Sequence, residues 1–101
     1  MAETIDEISI NYEEDGILIV KELAKEVLSR GAWSTIIFKY QQWEKGKNKY
    51  SDDRYTIRRY RKMKGTYSQQ SKFNISGRDQ AAKLAEILDR WSKENWATQD
   101  F

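Results

Sequence analysis

The sequence predicts an α+β fold: a curved four-stranded antiparallel sheet followed by one C-terminal helix, β-β-β-β-α, with a five-stranded sheet as the variant. Three observations predict it. Segments of two-residue alternation, rich in Tyr, Trp, Ile and Thr, follow one another from residue 33 to residue 75. Polar, glycine-bearing stretches punctuate them. Past Ser76 the pattern turns helical, with Ala81, Leu84, Ala85, Leu88 and Trp91 on one stripe.

Residues 8–12 read as a strand and residues 13–16, Glu-Glu-Asp-Gly, as a turn. Residues 17–28 fit two patterns. Ile19, Leu23 and Val27 are spaced as on a helix, whereas Ile17 to Val20 look like strand. The reading taken is an extended strand entering a bend at Gly31, with a short helix as the alternative. Residues 33–43 form a strand in which Ile36, Phe38 and Tyr40 alternate with Ile37, Lys39 and Gln41. A polar loop with Gly46 and Asn48 leads to a strand over residues 54–64, then a tight turn at Gly65 and a strand over residues 66–75. Ser76 serves as helix N-cap, with Asp79 placed as in a capping box, and the helix runs to about Ser92 or Asn95. One helix covers one face of such a sheet, so the other face meets water, a partner or a ligand.

The 101 residues make one domain. We divide the chain into an acidic N-terminal segment, 1–15, a single domain, 16–95, and a flexible tail, 96–101. Without cysteine there is no disulfide framework or zinc-thiolate site, and without histidine the commonest general base and metal ligand are missing. No apolar run is long enough to span a bilayer, and the acidic start is no secretory signal. The expected location is the cytoplasm. No catalytic constellation, metal site, cofactor motif or small-molecule site is expected. The five glycines are isolated and belong to no phosphate loop. Asp52 and Asp53 read as a turn before a strand.

The net charge of +2 conceals a sign reversal along the chain. Residues 1–38 carry −5, residues 39–72 carry +8 and residues 73–101 carry −1. The basic middle third holds eleven cations and six aromatics, Tyr40, Trp43, Tyr50, Tyr55, Tyr60 and Tyr67. Single-stranded nucleic acid is held by this combination, with cations on its phosphates and rings under its bases. The plainer reading is a sheet whose aromatics are ordinary strand residues and whose cations keep the edges soluble. Clustering favours binding. The expected contacts are Lys39, Trp43, Lys45, Lys47, Lys49, Arg58, Tyr60, Lys62, Lys64 and Lys72. Strand parity divides the segment into a ligand face with Lys39, Arg58, Tyr60 and Lys62 and a core face with Tyr55 and Ile57, leaving Arg59 and Arg61 as strand-end cations. The tail, with Glu94, Trp96, Asp100 and Phe101, is faintly similar to acidic, aromatic-ended tails that recruit partners.

Three pieces of sequence carry a family resemblance: a strand ending in Trp43 before a basic loop, the run YTIRRY from Tyr55 to Tyr60, and KFNIS from Lys72 to Ser76 leading into the helix. Over roughly residues 22–92 the chain resembles the positive-cofactor-four family of transcriptional coactivators and its bacterial relatives, single-stranded-DNA-binding domains of β-β-β-β-α fold. The resemblance implies base stacking by Trp43 and Tyr60, phosphate or base contact by Arg58 and phosphate contact by Lys72. It also implies a homodimer formed through the helix and neighbouring strand ends, for which Leu88 and Trp91 are the candidates. The chain departs from the family in its extra N-terminal stretch, residues 8–20, and in Tyr60, where a Trp often stands. The expected function is non-catalytic binding of single-stranded DNA, with RNA as the other ligand, in transcription or DNA maintenance. The alternative is a protein-interaction or structural homodimer, in which the charge asymmetry serves association between proteins.

Overall fold

The computed structural model describes residues 2–94. Six strands form one antiparallel, curled sheet: β1 (Tyr12–Glu14), β2 (Ile17–Ser29), β3 (Trp33–Glu44), β4 (Lys49–Tyr50), β5 (Arg54–Met63) and β6 (Thr66–Ile75), followed by α1 (Arg78–Lys93). The strand order is β1-β2-β3-β5-β6, and β4 pairs with β3. The α+β class and the antiparallel sheet with a C-terminal helix are as expected. The strand count exceeds four because β1 adds a short hairpin partner to β2 and the basic loop folds back as β4. Two-residue turns close the β1–β2 and β5–β6 hairpins. Asp15 and Gly16 (φ 52° and 80°) and Lys64 and Gly65 (φ 53° and 85°) take the left-handed conformations that match strand twist.

The ambiguous stretch 17–28 is strand. Bulges between Glu22 and Ala24 and between Val27 and Ser29 explain its double reading. Residues opposite Gln42, Tyr40, Phe38 and Ile36 of β3 are Val20, Glu22, Lys25 and Val27. The inserted residue turns steps of two into steps of two, three and two, which imitates helical spacing.

The core lies on the even face of β3, where Ser34, Ile36, Phe38 and Tyr40 are all buried. Thr56 and Tyr60 of β5 extend it. Its cover is not the helix, as expected from the sequence, but the N-terminal segment, whose Ile8 and Ile10 are buried against Ile36 and Phe38. That segment carries strand-like alternation without joining a ladder, so the strand expected over residues 8–12 shrinks to Tyr12–Glu14. Its backbone is satisfied by side chains instead. The Lys25 ammonium donates to the carbonyls of Ile5 (2.6 Å) and Ile8 (2.8 Å). The Ile10 N–H donates to the Glu22 carboxylate (3.1 Å). The Tyr67 N–H donates to the Ala2 carbonyl (2.9 Å) and ties the start of the chain to β6.

No residue of α1 is fully buried. Its N-cap is Gly77 and no side chain caps it. The cap expected at Ser76 fails because Ser76 lies one residue earlier, where its N–H and hydroxyl donate to the Gln80 side chain (2.9 and 3.3 Å). Ion pairs Glu86–Arg90 and Asp89–Lys93 link successive turns. Leu84 and Ile87 are half-buried, while Leu88 and Trp91 are 54% and 61% exposed. No helix among the described residues is long and apolar enough to cross a membrane. Trp96, Asp100 and Phe101 of the expected tail lie outside the described residues.

Candidate nucleic-acid interface

Strand pairing assigns the basic residues to two faces. Register places Arg58 opposite Ile36, Tyr60 opposite Ser34 and Lys39 opposite Tyr55. Arg58, Tyr60 and Lys62 therefore share the even, core-bearing face, and Lys39, Tyr55 and Ile57 share the odd face. The single ligand face expected from parity is overturned. Alternation is a property of one strand, and only register decides which alternate of a neighbour joins it.

On the even face Tyr60 is 6% exposed and belongs to the core, so its ring is not presented for stacking. Burial pushes its hydroxyl above the usual tyrosine range, against the opposing pull of the Arg58 charge. The neutral phenol therefore contributes stability that is fully present below the ordinary pKa of 10.0 and is lost as pH rises through the higher folded value. Tyr60→Phe should flatten this alkaline loss of stability, measured by urea unfolding at about pH 9 and about pH 11. Arg58 is half-buried and donates to Gln69 (3.0 Å). Lys72 is exposed opposite Arg58, and Lys62 lies over the Tyr67 ring at 5.5 Å. Glu7 lines a hollow with Tyr60 and Tyr67.

The odd face lies opposite the core cluster that the N-terminal segment covers; on it Ile75, paired with Tyr55, is buried, and Lys39, Tyr55 and Ile57 are half-buried. At one end the Lys45–Lys47 turn and left-handed Asn48 (φ 52°) bring Lys49 and Tyr50 back against Glu44 and Trp43. Trp43 meets Tyr50 edge-on, with ring centroids 5.0 Å apart. The Lys21 ammonium sits 4.9 Å from the Tyr50 ring, whose hydroxyl donates to the Leu18 carbonyl (2.8 Å). Lys45, Lys47 and Lys49 are exposed around this turn, with Lys47 paired to Glu44 at 3.7 Å. Lys39 lies farther along β3 on the same face. Asp53 accepts from Gln41 (3.1 Å), in keeping with a turn role for the Asp52-Asp53 pair. No metal-binding group of three ligands occurs among the described residues.

The other end of the odd face holds Trp33, which sequence reasoning passed over, with Arg59 and Arg61, which it set aside as strand-end cations. Trp33 is 42% exposed, with the guanidinium carbons of Arg59 and Arg61 at 4.6 and 5.4 Å from its ring. The signal was present in the odd parity of all three, but it became visible only when register set Trp33 opposite Arg61. Lys64 stands at the β5–β6 turn on this same end.

The fold and site define a curled antiparallel sheet with one face sealed by its own N-terminal segment and the other lined by rings and cations. No protein-family model matches the chain, and no curated protein or solved structure matches it either.

Proposed function

We propose that the protein binds single-stranded nucleic acid, DNA first, without catalysis, along the odd face of its sheet, and serves transcription or DNA maintenance in the cytoplasm. The observation that carries this reading is the group of Trp43, Tyr50, Lys21 and Lys39, half-buried together on the face opposite the core cluster. Phosphates are drawn to the +8 middle segment and bases stack on the rings. The resemblance to the positive-cofactor-four family supports the same reading and extends it to a homodimer. The exposed Leu88 and Trp91, in line with Leu84 and Ile87, favour that dimer, because a second copy's helix would cover them.

Oligothymidine should quench tryptophan fluorescence, and the affinity should fall with salt at a log–log slope of about −0.7 per phosphate contacted. Duplex DNA of equal length and oligouridine serve as comparisons. Unchanged fluorescence at low salt for every oligonucleotide would leave the protein-interaction homodimer as the better reading, with the exposed helix stripe as its contact.

A further inference from the structure

We infer that Trp33, flanked by Arg59 and Arg61, is a second stacking site for the same single strand, at the end of β3 opposite Trp43. The inference rests on the odd face being the nucleic-acid surface. Residues 33, 39 and 43 share parity on β3, and its pairing with β5 runs without a register shift from Trp33–Arg61 to Tyr40–Arg54. Ten residues of strand place the two indoles roughly 33 Å apart. Lys39 stands between them, with Tyr55 opposite it. Exposed Phe73 flanks Ile57, the partner of Ile37 in the middle of this stretch.

Packing does not account for Trp33. It lies outside the core cluster and remains substantially exposed. Its close neighbours are two guanidinium groups, and neither is paired with a carboxylate among the described residues. Two guanidinium groups over an exposed indole, neither paired with a carboxylate, supply cations for phosphates and a ring that a base can take in their place. The other end repeats the combination with Trp43, Tyr50 and Lys21. Two such ends on one face act as linked sites, so a strand reaching both gains beyond the sum of its parts.

The full chain should be titrated with oligothymidines of about 4 nucleotides, which cover one end, and about 16, which cover both. Trp33→Ala should weaken the long oligonucleotide about 10-fold or more and the short one at most about 2-fold. The Arg59→Gln, Arg61→Gln double variant keeps the indole and the strand. It should make the salt slope for the long oligonucleotide shallower by about 1.4, two phosphates' worth. Circular dichroism checks that both variants fold. If Trp33→Ala binds the long oligonucleotide like the wild type, or if the double variant keeps the wild-type slope, the second site is refuted while the nucleic-acid reading stands. An equal loss at both lengths likewise refutes it. Failure of the wild type to bind any oligonucleotide at low salt refutes the reading beneath it as well.

Discussion

Replacing Ile8 and Ile10 together by alanine should unfold most of the domain at room temperature. Both side chains are buried against Ile36 and Phe38, and among the described residues none of α1 joins that cluster. An Ile→Ala change in a core costs about 2–5 kcal/mol, so the pair costs about 4–10 kcal/mol. A domain has about 5–15 kcal/mol in hand, and one of this size lies toward the lower end. The expected readout is loss of the cooperative urea transition and of the near-ultraviolet signal of the buried tyrosines. Substituting exposed Glu3 and Asp6 by Gln should move stability by no more than about 0.5 kcal/mol each. A double variant that unfolds like the wild type would show that the N-terminal segment is a loose appendage and not part of the core.

The second large effect concerns binding. Trp43→Ala combined with Lys39→Gln should weaken oligothymidine binding by roughly two orders of magnitude. The stacking lost at Trp43 is worth about 1–3 kcal/mol, and each 1.4 kcal/mol is tenfold. Removing the Lys39 charge should make the salt slope shallower by about 0.7. Neither residue belongs to the core cluster, so the urea midpoint should change little and the oligomeric state should not change. Loss of binding without loss of the dimer separates the nucleic-acid reading from the protein-interaction reading. A variant that binds with wild-type affinity would remove Trp43 and Lys39 from the interface.

Local chemistry made much of this legible in the sequence. The strands β3 and β5 show clean alternation, Gly16 and Gly65 mark the β1–β2 and β5–β6 hairpins, and Leu84, Leu88 and Trp91 mark the helix. The +8 segment with its aromatics marked the region to examine. Relations between distant segments were not legible. Bulges at Glu22–Ala24 and Val27–Ser29 blurred the periodicity of β2. The register that sets Tyr60 opposite Ser34 turned an expected stacking ring into a core residue. Nothing in the local pattern announces that Lys25 gathers the carbonyls of Ile5 and Ile8, one of the contacts that anchor the acidic segment over the core. The same register brings Arg61 to Trp33, a pairing that composition alone cannot supply.

The most direct test is to map oligothymidine onto the two faces by nuclear magnetic resonance of the full chain. The indole N–H signals of Trp33 and Trp43 should shift on titration, together with the amides of Lys39 and Tyr55. The amides of Ile8, Ile10 and Tyr60 on the sealed face should stay in place, as should the Trp91 indole on the helix. Shifts confined to Ile8, Ile10, Tyr60 and Lys72, or no shifts at low salt, would contradict an odd-face nucleic-acid surface.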